Sequence, residues 1–196
     1  MTFLTGFTAG LLLITLSELG DKTFFIGAIL AMRHPRRWVF IGVTVALALM
    51  TLLSVGIGQI AATFPQHYVK AIAIALFLGF GLKLLYDASQ MSGQENLQDE
   101  CEEALSAVEH REQQIATSSV RAVLLEAFSL TFVAEWGDRT QLATITLAAG
   151  NHSGGVLIGA ILGHAICAAI AVACGKFIAG RISERLLTAI GGMLFI

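Results

Sequence analysis

Ionisable side chains stand in the middle of two long apolar runs of this chain, and that placement restricts its fold more than any other feature. Glu18, Asp21 and Lys22 lie within an apolar segment covering about residues 3–32, and Glu135, Asp138 and Arg139 within another covering about 120–149. A charge inside a bilayer-crossing helix costs roughly 2.5–3.5 kcal/mol on insertion scales. An aliphatic residue would fill the space without that cost, so the acids point to an ion or proton path. Both stretches read Glu-x-Gly-Asp-basic-Thr, from Glu18 to Thr23 and from Glu135 to Thr140, 117 residues apart.

The spacing puts Glu18 and Asp21, and likewise Glu135 and Asp138, on one face of a helix, so both carboxylates of a pair can meet one ion. Gly20 and Gly137 weaken the helix locally and free backbone carbonyls as further oxygen ligands. Carboxylate and carbonyl oxygens are hard ligands. They suit Mn²⁺, Ca²⁺ or Mg²⁺ better than thiol-seeking metals.

With 56% hydrophobic and 13% charged residues in 196, and a mean hydropathy of +0.76, the chain reads as an integral membrane protein. Its length allows about six spans of about 20 residues each. The residues before Glu18 carry no charge and run directly into the first motif, which argues against a cleaved signal peptide and for a mature helix. Cys167 and Cys174, on one helix, lie about 10 Å apart along its axis, too far for a disulfide. Together with Cys101 in the linker they read as small apolar residues.

Six spans are expected, at about 3–32, 38–62, 68–86, 120–149, 156–179 and a short 182–196. The first is long enough to be tilted or broken. Between the third and fourth, Glu95, Asp99, Glu100, Glu102, Glu103, Glu109 and Glu112 face Arg111 as their only nearby base, which reads as a water-exposed linker with room for a short surface helix. Its charge density could also gather divalent cations.

A gapless offset of 117 also pairs Leu30 with Leu147, Val39 with Val156, Gly42 with Gly159 and Gly58 with Gly175. The chain therefore divides into a three-helix repeat at 1–87, an acidic linker at 88–119 and a second three-helix repeat at 120–196. An odd number of spans per half inserts the second half upside down, giving an all-α transmembrane fold of six helices in two inverted repeats. Arg33, Arg36, Arg37, Lys83, Arg111, Arg121, Lys176, Arg181 and Arg185 gather on one side, with Lys70 nearly alone on the other. By the positive-inside rule the linker is cytoplasmic and both termini are extracytoplasmic.

The duplicated motif, from Glu18 to Thr23 and from Glu135 to Gln141, resembles that of the small six-span manganese/calcium exchangers. These include Golgi and thylakoid cation transporters and bacterial manganese exporters. The resemblance implies exchange of Mn²⁺ or Ca²⁺ for protons, with the motif carboxylates Glu18, Asp21, Glu135 and Asp138 forming the cation site. It also implies a secondary active transporter of a bacterial inner membrane that exports the ion from the cytosol. Phe24 stands where the second copy has Gln141, so the halves are not equal.

Four acids against Lys22 and Arg139 leave a net charge of −2 at such a site, which one divalent cation neutralises. Without the cation, crowded carboxylates at low dielectric take up protons, so metal and protons compete for the same oxygens. Thr23, Thr140 and Gln141 fit as neutral ligands or orienters, while Lys22 and Arg139 hold the empty site or pair with a carboxylate. Structural ion pairs pinning helices are the plainer alternative. Glu126, about six residues into its span, reads equally as a relay acid or a residue at headgroup level. His164, opposite Leu47 in the repeat, reads as bonded to a neighbouring helix, and Thr44, Thr51 and Ser54 as helix-contact residues.

A passive divalent-cation channel uses the same acidic ring. More remotely, Gly20-Asp21 and Gly137-Asp138 with Tyr86-Asp87 suggest an intramembrane aspartyl protease. The reading favoured is a transporter, not an enzyme, without a resident cofactor. Its partners are a divalent metal ion and the lipid bilayer, not nucleic acid, and either a monomer or a homo-oligomer fits.

Overall fold

The computed structural model describes residues 2–90, 95–112 and 119–178, so the expected span at 182–196 lies outside the described residues. All regular structure among those residues is helical: α1 (Phe3–Glu18), α2 (Lys22–Arg33), α3 (Arg36–Ala61), α4 (Gln66–Gln90), α5 (Glu95–Glu112), α6 (Val120–Ala134), α7 (Arg139–Gly150) and α8 (Ser153–Ile178).

Local signals explain the boundaries. Thr2 and Ser119 cap α1 and α6, each side-chain oxygen accepting from the backbone N–H three residues on, at 3.3 and 3.2 Å. Gly20 at φ 86° and Gly137 at φ 83° sit between α1 and α2 and between α6 and α7. That left-handed conformation is cheap only for glycine, so the motif is itself the break. The expected first span is thus two helices meeting at a 66° bend.

The duplication extends to the helix boundaries. Phe3, Lys22 and Arg36 open α1, α2 and α3, and Val120, Arg139 and Ser153 open α6, α7 and α8, each 117 residues later. Packing is reciprocal as well: α1 lies along α8 as α6 lies along α3, α2 touches α8 as α7 touches α3, and α3 and α8 meet each other. The halves are interlocked rather than side by side.

Close approach needs small residues. A Cβ at Gly42 of α3 would stand 2.8 Å from Ala127 Cβ and 2.9 Å from Leu124 O of α6. At the repeat-equivalent Gly159 of α8 it would run into the carbonyl of Phe7, the equivalent of Leu124. Packing of this kind, rather than expulsion from water, holds helices together in lipid. The main buried cluster runs from Phe24, Phe25 and Ile29 of α2 through Val39, Val43 and Leu47 of α3 to Val123 and Ala127 of α6 and Ala168 and Ala171 of α8.

Among the described residues three helical segments are long and apolar enough to cross a membrane, Arg36–Ala61, Gln66–Tyr86 and Ser153–Ala173, and the bent α1–α2 pair makes a fourth if counted as one span. Their outer faces expose Leu52, Ile57, Ile60, Ile72, Leu82 and Ile158. Such an apolar surface suits hydrocarbon and not water.

The acidic stretch is more engaged than its composition implies. Helix α5 begins earlier than expected and docks on α2, with Ala104 and Val108 fully buried in the main cluster. Its acids face the bases of α2: Lys22 Nζ meets Glu103 Oε2 at 2.8 Å and Arg33 Nη2 meets Glu109 Oε1 at 3.3 Å. The Lys22 ammonium holds the Glu103 carboxyl below its ordinary range. A depressed carboxyl contributes above its unfolded pKa and loses that contribution as pH falls through the folded value, so this strap is fully present at neutral pH.

Gly42→Val is expected to lower thermal stability in detergent, by about 1–3 kcal/mol of overpacking, whereas Gly56→Val, where a Cβ meets nothing within 4 Å, should change it little. Val108→Asp is expected to release α5, read as faster protease cleavage in the linker, because it buries an unpaired charge. Glu103→Gln should have a much smaller effect, since an exposed pair is worth about 0–1 kcal/mol.

Candidate metal centre

The two breaks face each other. One carboxylate oxygen from each of Glu18, Asp21, Glu135 and Asp138 lies within 4.8 Å of all the others. The glutamates are 2% and 3% exposed, and both aspartates are partly buried. The acids of a pair converge across a turn rather than along one helix face. Glu18 ends α1, Asp21 is the N-cap of α2, and the Asp21 N–H donates to the Glu18 carbonyl at 3.3 Å, as Asp138 does to Glu135.

Hydroxyls of the motif threonines serve the glutamates. Thr23 Oγ1 donates to Glu18 Oε2 at 3.1 Å, and Thr140 Oγ1 lies 3.4 Å from Glu135 Oε2 and 2.8 Å from Asp138 Oδ2. The aspartates differ. Asp138 caps α7 by accepting from the Gln141 N–H at 2.7 Å, while Gln141 Oε1 accepts from the Gly137 N–H at 2.8 Å. Asp21 makes no side-chain cap bond, and its Oδ1 instead accepts from Arg139 Nη2 of the other repeat at 3.1 Å. Of the two motif bases, Arg139 reaches the cage while Lys22 is engaged by Glu103.

Arg139 against four ionised carboxylates leaves a net charge of about −3, more negative than the sequence count, which placed both bases at the site. Such charge cannot persist at low dielectric without cations or bound protons. Glu18 Oε1 and Glu135 Oε1 are buried without a hydrogen-bond partner. Two unpartnered carboxylate oxygens in a ring of four hard donors offer a divalent ion an all-oxygen site.

Two further features surround the cage. Glu126 is buried on α6, its Oε2 3.6 Å from His34 Nε2 at the C-cap of α2. Sequence reading missed His34, which adjoins a run of arginines and looks like loop. Beside Glu135 lies a cavity of about 10 Å³, whose walls include Thr51 and Ser54 of α3, Thr144 of α7 and His164 of α8. The Thr51 and Ser54 hydroxyls donate back to Leu47 O and Met50 O of their own helix, both at 2.8 Å, rather than to a neighbour.

The profile of the divalent cation/proton antiporter family GDT1 matches residues 6–92 and 123–196, taking in both motifs. A GDT1-like protein of Synechocystis is 58% identical over 98% of this chain and 93% of its own length. GDT1-like protein 4 of Oryza sativa subsp. indica is 42% identical over 97% of this chain and 70% of its own length, and GDT1-like protein 3 of Arabidopsis thaliana 40% identical over 94% and 65%. No solved structure matches. By its profile match over both halves and its likeness to these relatives, the chain belongs to the GDT1 family of divalent cation/proton antiporters.

Proposed function

We propose that Glu18, Asp21, Glu135 and Asp138 form one cation site that takes Mn²⁺ or Ca²⁺ in exchange for protons, and that the chain exports the ion from the cytosol of a bacterial cell. The observation that carries this reading is the convergence of four carboxylates within 4.8 Å, two of them with an oxygen lacking any partner. All-oxygen donors favour hard divalent ions over thiophilic ones.

Exchange follows from the charge. With the metal bound, two of its charges offset most of the cage. When it leaves, carboxylates a few ångströms apart cannot all stay ionised, so protons take its place on the same oxygens. Arg139 anchors Asp21 throughout, and Thr23 and Thr140 orient the glutamates. Lys22 acts at one remove, tying the motif to the α5 strap.

The interlocked halves supply a way to expose the cage alternately. In the proposed topology the repeats are inverted, six spans in all, with α5 in the cytosol and both termini outside. This topology is supported by the matched helix starts, by the reciprocal packing and by the basic residues gathered on one side. Broken helices meeting at a shared site are the usual architecture for such rocking.

Glu18→Gln and Glu135→Gln should each insert and fold but lower metal flux in proteoliposomes by at least about thirtyfold, equivalent to the ~2 kcal/mol lost with one charged ligand. Wild-type flux from either variant would remove that acid from the site. In sealed vesicles with an acidic lumen, the pH gradient alone should drive Mn²⁺ or Ca²⁺ inward, and a protonophore should abolish the uptake. A channel would show neither response.

A further inference from the structure

The two halves of the cage have unlike surroundings. Beside Glu135, Thr51, Ser54, Thr144 and His164 line a cavity of about 10 Å³, which is room for about one water. His164 is only 5% exposed, and its Nδ1 has no hydrogen-bond partner. Glu135 Oε1 is unpartnered too. A water here would therefore find a donor or acceptor on several walls, as a stable buried water requires.

The repeat supplies an internal control. At the same offset of 117, Thr51 corresponds to Ala168, Ser54 to Ala171, Thr144 to Gly27 and His164 to Leu47, while Gln141 corresponds to Phe24. Every polar wall residue beside Glu135, apart from the motif threonine, has an apolar residue or glycine as its counterpart in the other repeat. Four of these counterparts, Phe24, Leu47, Ala168 and Ala171, belong to the main buried cluster and are at most 4% exposed. Gly27 is filled in by Ala171 and Val43 at van der Waals distance.

We infer that a water held between Glu135 and His164 hydrates the cage on that side, and that the equivalent approach on the Glu18 side is a dry apolar plug. The pseudo-symmetric routes are thus built for different tasks. The wet one lets an ion exchange shell water for carboxylate oxygen in steps, while the dry one must part before anything passes. Its role in transport rests on the proposed cation site, but the hydration itself does not.

The chain carries a matched pair of sulfur probes for this difference. Met50 lines the wet cavity, and its counterpart in the repeat is Cys167, equally buried at 3% exposure against 4% and bonded through Sγ to Thr15 O at 3.3 Å. Hydroxyl radicals generated from buried water by an X-ray pulse oxidise nearby sulfur, and both side chains are susceptible. In the metal-free full chain in detergent, mass spectrometry should find Met50 oxidised at least about tenfold faster than Cys167, despite the thiol's oxidation chemistry. His164→Leu, which copies the counterpart residue, should protect Met50 and lower flux. If that variant does not fold, Thr51→Val serves the same purpose. Comparable oxidation of Met50 and Cys167, or a protected Met50 in the wild-type chain, would overturn the inference while leaving the cage reading intact. Full flux from Glu135→Gln together with oxidised Met50 would do the reverse, removing Glu135 from the site while leaving the water in place.

Discussion

Mutual repulsion among four clustered carboxylates, two of them fully buried, is the interaction to which the rest of the structure answers. Glu18, Asp21, Glu135 and Asp138 would not gather spontaneously in apolar surroundings, because like charges at this separation and low dielectric repel by several kcal/mol. Something must hold the helices that carry them. Close glycine-mediated contacts between α1 and α8 and between α3 and α6 do so, and they leave the acids no route of escape except neutralisation. Packing therefore sets the electrostatics, and the electrostatics set the chemistry.

The glycine breaks are the second half of that arrangement. A continuous helix through Glu18 and Asp21 would leave its backbone groups satisfied and its acids on one surface. The left-handed residues Gly20 and Gly137 instead turn the chain so that one acid ends a helix and the other begins the next. Within each half the acids then approach from different directions, which is what a cage around one ion demands and a stripe of acids does not provide.

Much of this was legible in the sequence. The motif, its duplication at a fixed offset and the apolar setting of its acids identify the candidate residues, because burying ionisable groups twice at equivalent positions has few physical explanations. Less legible was the partner of Lys22. Sequence distance made Glu18 or Asp21 the natural choice, but Glu103 is brought in by Ala104 and Val108 of α5, two small apolar residues in a stretch whose composition reads as solvated. The linker's docking is a tertiary effect carried by those two side chains. Thr51 and Ser54 read as helix-contact residues, which leaves open where their hydroxyls bond. Their hydroxyls in fact turn back on their own carbonyls, leaving lone pairs toward a cavity. The inequality of Phe24 and Gln141 was visible in the sequence, but its meaning needed the walls around it.

The reciprocal contact of α1 with α8 bears on how the polypeptide is made. Helix α1 leaves the ribosome first, yet its longest partner, α8, follows after well over a hundred further residues. Until then the grooves at Gly6 and Gly10 have no mate, and the early helices must wait in the lipid as loosely associated cylinders. Maturation is therefore a late, concerted event. The nascent N-terminal half is a dependent fragment, and lesions in α8 compromise parts of the molecule synthesised long before it.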